Sequence, residues 1–207
     1  MTRGFGIFEM INGFLWPSRD TECKKVVFSE TAKIDKALRH TNGRAVCVQA
    51  GGNCGVFPKY LSPLFGTVYT FEPHPDNFHC LASNVPEANV IKMQAALGER
   101  HGMIHMELTE REKTNYGAFY MRDGGDIPVL LVDDLHLDTC DLIILDIEGA
   151  EGEALRGAAH TIRRFHPTLL LEEKGLSVRY GKASVEEWCV QQGYTVVDRM
   201  LRDIILI

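Results

Sequence analysis

Long apolar runs are what this chain most clearly lacks. None of its 207 residues belongs to a run near the roughly 18 that a membrane-spanning helix needs. The opening stretch, MTRGFGIFEMINGFLWP, is apolar in patches, but Glu9 and Asn12 interrupt any signal-peptide core, so a cytoplasmic location is expected. Excess positive charge is missing too. The formal net charge of −6 argues against a broad surface for nucleic acid or an anionic membrane. The six cysteines (23, 47, 54, 80, 140 and 189) form no C-x-x-C pair, which predicts free thiols in a reducing compartment and no cysteine-bound metal. No histidine pair has metal-ligand spacing, and there is no internal repeat or low-complexity linker. What is present is ordinary for a globular protein: 45% apolar and 24% charged residues. The length suits one domain with its own core, spanning 1–207. Residues 1–43 read as a cover segment and a helix, and 44–207 as the core.

The core is organised around Arg44 to Glu72. Ala45-Val46-Cys47-Val48 suits a buried strand, and Gly51-Gly52-Asn53-Cys54-Gly55 a tight turn. Val56, Phe57, Tyr60, Leu61 and Leu64 follow at helical spacing, and a second strand, Val68-Tyr69-Thr70-Phe71, ends on Glu72. This is a βαβ unit with glycines in its first turn and a carboxylate at its second strand end. Glycine lets a ligand approach the backbone, and the helix start offers unpaired N–H groups. A carboxylate at the next strand tip accepts hydrogen bonds from a ribose diol. The plainer alternative is a packing turn and a strand that happens to end in Glu. A dinucleotide turn needs G-x-G-x-x-G, and here Asn53 and Val56 hold the second and third glycine positions. The turn suits S-adenosylmethionine, which has no pyrophosphate to cradle. The expected contacts are Gln49, Ala50, Gly51, Gly52, Asn53 and Gly55 around the turn, with Glu72 and Pro73 at the ribose.

Further along, 29–40 reads as a helix with Ile34, Ala37 and Leu38 inward, and Pro75 opens another that runs to Asn84. Val90 to Gln94 is a third strand, and the small residues after it leave room for an adenine ring against Gln94, Ala95 and Ala96. Met103 to Leu108 partly alternates as a strand, and 109–126 is the longest expected loop. Pro128 to Val132 is apolar. Leu142 to Leu145 is a buried strand ending in Asp146-Ile147-Glu148-Gly149-Ala150-Glu151, and the helix after it is expected to run unbroken to about Phe165, where Pro167 bars continuation. Thr168 to Leu171 ends in Glu172-Glu173. Ser184-Val185-Glu186-Glu187 is a capping box, and strands at 194–197 and 204–207 close the chain as an antiparallel hairpin. The tally is about seven strands in a mostly parallel, doubly wound α/β sheet with helices on both faces.

Parallel strands bring their carboxyl ends to one rim, so Glu72, Asp146, Glu148 and Glu172 should meet there. Methyl transfer from a sulfonium depends mainly on orienting the nucleophile, and a hydroxyl acceptor must also lose a proton. Asp146, Glu148 and Glu172 are the expected catalytic carboxylates, with Asp146 also beside the cofactor. A second arrangement uses the same acids to hold Mg²⁺ or a similar hard cation. Glu151 reads as a helix-dipole partner and His74 as a surface residue. A nicotinamide-dependent oxidoreductase and a non-catalytic cofactor-binding protein remain as rival readings.

The sequence resembles the FkbM-type methyltransferases from about Trp16 to Glu173. The likeness rests on VQAGGNCGVFP (48–58), VYTFEPHPDNF (68–78), Ala96-Leu97-Gly98, Asn115-Tyr116-Gly117 and Ile143 to Glu151. It implies a class I, Rossmann-like, S-adenosylmethionine-dependent methyltransferase acting on oxygen in sugars or natural products. S-adenosylhomocysteine is then the product and a small molecule or glycan the acceptor, and a homodimer stays open. Gln49 departs from the acid with which many methyltransferases end the first strand.

Overall fold

The computed structural model describes residues 7–107, 114–115, 120–173 and 184–207. Strands β1 (Phe8–Ile11) and β2 (Phe14–Pro17) form an antiparallel hairpin. Its turn is Asn12-Gly13, with φ of 50° and 83°, the positive pair that a two-residue hairpin turn requires. Within the expected cover segment, Phe8–Pro17 is therefore a regular hairpin. Helices α1 (Cys23–Val26) and α2 (Thr31–Leu38) follow. Then come β3 (Val46–Ala50), α3 (Val56–Leu61), β4 (Thr67–Phe71), α4 (Pro75–Asn84) and β5 (Val90–Met93). Strands β6 (Ala96–Leu97), β7 (Gly102–Glu107), β8 (Tyr120–Asp123) and β9 (Ile127–Leu130) build a separate small sheet in the order β6-β9-β7-β8. Part of the stretch expected as a loop is thus the strand β8, paired antiparallel to β7. The strand expected at 103–108 and the apolar stretch near 128 fall in this smaller sheet and not in the main one.

The chain returns to the main sheet at β10 (Leu142–Leu145), followed by α5 (Glu151–Arg156), α6 (Ala159–Phe165) and β11 (Thr168–Glu172). It closes with α7 (Val185–Gln191), β12 (Val196–Arg199) and β13 (Asp203–Leu206). The main sheet has seven strands in the order β12-β13-β11-β10-β3-β4-β5. Neighbours from β11 through β5 pair in parallel. β13 is antiparallel to both β11 and β12 and lies between them.

Alternation within the strands sends side chains to two cores. Ile143 and Leu145 meet α5, α6 and α7 on one face. Leu142 and Ile144 meet α2, α3 and α4 on the other. All four are essentially inaccessible, each worth about 2 kcal/mol of transfer free energy. The helix expected to run unbroken to Phe165 is divided at Gly157-Ala158. A Cβ at Gly157 would stand 1.9 Å from the carbonyl oxygen of Gly98, and the Gly157 carbonyl accepts from Asp133 N–H. The Asp133 carboxylate then caps α6 from outside, accepting from His160 N at 2.9 Å and Thr161 N at 2.8 Å. At α7 the Ser184 hydroxyl accepts from Glu187 N–H at 3.4 Å, as the capping box requires.

Candidate active site

The carboxyl ends of β3, β4, β10 and β11 open onto one cavity of about 370 Å³, within the range of small-molecule sites. The turn after β3 is shaped by two close approaches. Gly51 takes φ 84°, and a Cβ on it would stand 2.0 Å from the Asp146 carbonyl oxygen. Only glycine lets the ends of β3 and β10 come this near. Both Gly51 N–H and Gly52 N–H donate to the Phe71 carbonyl, at 3.1 and 2.9 Å.

Glu72, at the tip of β4, is only 5% exposed. Its carboxylate accepts from Asn53 N–H at 2.7 Å and His74 N–H at 2.8 Å, with the Asn77 side chain as a further donor. Burial outweighs these donors and pushes its pKa up to about 7. The glycine turn and the second strand end are thereby joined by one carboxylate.

At the end of β10, Asp146 Oδ2 lies 3.0 Å from the Lys33 ammonium, which also lies 2.9 Å from Asp203 Oδ1. Lys33 is 8% exposed and sits over the Phe57 ring. Burial opposes its charge, but the two aspartates outweigh burial and hold its pKa above the usual lysine range. In the following loop, Glu148 has φ 54° and Gly149 φ 97°. Left-handed backbone at a non-glycine residue is strained and persists only when its surroundings fix it. Glu151, 3% exposed, supplies the fixing. Its Oε1 accepts from Ile147 N–H at 3.1 Å and Gly149 N–H at 3.2 Å. Burial pushes the Glu151 carboxyl up to about 7. Glu151 thus braces the loop, a more specific task than meeting the helix dipole.

Of the residues expected at the site, Ala50, Gly51, Gly52, Asn53, Glu72, Pro73, Ala95, Ala96, Asp146, Glu148 and Glu172 line this cavity. Gln49, Gly55 and Gln94 lie outside its lining. Gln49 is fully buried and accepts from the Thr70 hydroxyl at 2.5 Å. Its position alternates with Val48 and Ala50, so it faces away from their side of the sheet. Gly55 caps α3 with φ 97°, and a Cβ there would stand 2.7 Å from Val85, so packing against α4 explains this glycine. Gln94 is exposed. Cys23, Val26 and Glu30 also wall the cavity. Asn115 lines it as well, whereas Tyr116 and Gly117 lie outside the described residues. Lys33 carries no signal in the sequence, because a lysine in an amphipathic helix looks solvated, and Glu151 shows there only as a helix-dipole partner.

Ligand atoms of Asp146, Glu148 and Glu172 fall within 4.8 Å of one another. That closeness is the whole case for a hard cation, and the Lys33 ammonium already balances Asp146. All six cysteines are free. No helix among the described residues is long and apolar enough to cross a membrane.

Solved structures share this architecture. The FkbM methyltransferase from Methylobacillus flagellatus KT superposes with a TM-score of 0.55 at 19% identity, covering 79% of this chain. This chain spans only 43% of that protein. Precorrin-6y C5,15-methyltransferase from Geobacter metallireducens GS-15 gives 0.50 at 13% identity, covering 96% of this chain and 91% of its own. A Pyrococcus abyssi tRNA (uracil-54, C5)-methyltransferase, solved with S-adenosyl-L-homocysteine, gives 0.50 at 12% identity over 99% of this chain and 45% of its own. No curated protein matches in sequence. At these identities the likeness concerns the fold. The family model described as the methyltransferase FkbM domain, however, matches residues 56–196 directly in sequence. With that match spanning the rim from α3 to β12, the chain belongs to the FkbM methyltransferase family.

Proposed function

We propose that this protein is a class I, Rossmann-like methyltransferase that uses S-adenosylmethionine, releases S-adenosylhomocysteine and methylates a hydroxyl of a sugar, glycan or small natural product. The observation that carries the reading is Glu72, a buried carboxylate aimed at the glycine turn and held by its Asn53 amide. In such a place a carboxylate has use for a ribose diol. When bound, the cofactor supplies an electrophilic methyl group. On this reading Glu72 and Pro73 hold the ribose, Ala95 and Ala96 back the adenine, and the Gly51–Asn53 backbone flanks the methionine portion. Lys33 occupies one oxygen of Asp146, which suits Asp146 to orienting ligands rather than removing a proton. Glu148, presented by its braced loop, takes the proton of the acceptor hydroxyl, and Glu172 stands beside it. Six free thiols fit a reducing compartment, and we place the protein in the cytoplasm.

Calorimetric titration with S-adenosylmethionine, S-adenosylhomocysteine and NAD tests the reading. Binding of the first two and not of NAD is expected. Glu72→Ala should abolish that binding without unfolding the protein. NAD binding alone would favour an oxidoreductase. Tight S-adenosylmethionine binding with no turnover on any hydroxyl acceptor would leave a cofactor-binding protein.

A further inference from the structure

The glycine turn after β3 has no backbone donor to spare. Gly51 and Gly52 N–H both donate to the Phe71 carbonyl, and Asn53 N–H donates to Glu72. Cys54 N–H donates to the Asn53 side chain at 2.7 Å, and Gly55 N–H to the Gly52 carbonyl at 2.9 Å. A turn whose amides are all committed cannot receive the anionic end of a ligand and suits a cationic one. The cavity lining agrees in sign. Six of its side chains are acidic and one, Arg202, is basic.

The six acids differ in what they already hold. Glu72 takes two backbone amides, Asp146 the Lys33 ammonium and Glu22 the Lys25 ammonium. Glu148 and Glu172 serve the acceptor in the reading above. That leaves Glu30, half-buried between α1 and α2. No cation among the described residues lies within ion-pair distance of it. Cys23 links Glu30 to the turn. The Cys23 thiol accepts from the Asn53 side-chain amide at 3.7 Å. Burial raises the pKa of that thiol, and the charges of Asp20, Asp146, Glu30 and Glu148 raise it further, so this corner of the cavity is negative. Gln49, near the end of β3, is neutral and held by Thr70, so the strand itself supplies no charge.

We propose that Glu30 is a cofactor-binding residue that holds the α-ammonium of the methionine end of S-adenosylmethionine. The assignment rests on the cofactor reading above and deepens it. An ammonium placed against the committed turn, beside Cys23, meets the one lining carboxylate that has neither a cation nor an assigned task.

S-adenosylhomocysteine isolates the contact, because it has lost the sulfonium charge and keeps the α-ammonium. Its deaminated analogue, S-(5′-deoxyadenosyl)-4-mercaptobutyrate, keeps the adenosine, the thioether and the carboxylate. Both are titrated calorimetrically into the full chain, as wild type and as Glu30→Gln. The substitution should weaken S-adenosylhomocysteine about tenfold and leave the analogue within about twofold of wild type. A merely structural role would move both ligands alike. Glu30→Ser gives the same comparison should the first variant fail to fold. Equal losses for the two ligands, no loss for S-adenosylhomocysteine, or tighter binding in the variant would each overturn the assignment. Binding of neither ligand to the wild type would strike the cofactor reading, and this assignment with it.

Discussion

Lys33 is the residue whose role the fold changes most. In the sequence it precedes the inward-facing Ile34 on an amphipathic helix, where a lysine normally reaches solvent. In the structure its ammonium is buried between Asp146 and Asp203, which lie 113 and 170 residues away along the chain. Removing a buried partner leaves the remaining charges uncompensated. Lys33→Met is therefore expected to lower stability by on the order of 3 kcal/mol, measured by urea denaturation, and Lys33→Arg should recover part of the loss. A midpoint unchanged in Lys33→Met would show that solvent screens the pair. Glu72 shows the opposite relation between sequence and fold, since its position at a strand tip already marked it for the rim, and it lines the cavity there. Its burial and its grip on the Asn53 amide emerged only with the fold.

At the scale of elements, the division between α5 and α6 shows how tertiary contact overrides periodicity. Ala150, Ala154, Leu155, Ala158, Ile162 and Phe165 keep helical spacing across it, so periodicity alone predicts one helix. Gly157 must instead lie against Gly98, and Asp133 caps the new helix start through two backbone amides and the Thr161 hydroxyl. Asp133→Ala should cost about 1 kcal/mol, typical of a lost cap, read as a lower thermal midpoint. Affinity for S-adenosylhomocysteine should not change, because Asp133 lies outside the cavity lining. The opening hairpin had a local signal in Asn12-Gly13, but the irregular apolar residues around it obscured the two strands.

For the molecule as a whole, two buried carboxyls set a pH dependence. Glu72 and Glu151 are both pushed up to about 7 by burial. A carboxyl that keeps its proton longer in the native state stabilises the fold at low pH, and that stability is lost as pH rises from the unfolded value toward 7. The thermal midpoint should therefore be higher at pH 5.5 than at pH 8 as far as these groups decide it, and Glu72→Gln should flatten part of the slope. Cofactor affinity should move the other way. A ribose diol donates best to ionised Glu72, so S-adenosylhomocysteine should bind more tightly at pH 8 than at pH 6. Affinity independent of pH over this range would remove Glu72 from the ribose. Lys33 does not compete in this window, since its charge is held to well above neutral pH.

The sequence by itself determined the α/β alternation, the glycine turn, the carboxylates at the strand ends and the final hairpin. These features are local: short apolar runs, helix stops, turn residues and the fixed polarity of parallel strands. Tertiary structure alone decided that β13 lies between β11 and β12, that a second small sheet stands beside the rim, and that α6 starts afresh after Gly157. It also decided which rim residues face the cavity, turned Gln49 into a buried partner of Thr70, and set Lys33 against Asp146 and Glu151 against the loop after β10. These outcomes depend on groups far apart in the chain meeting at one place, which no local pattern encodes.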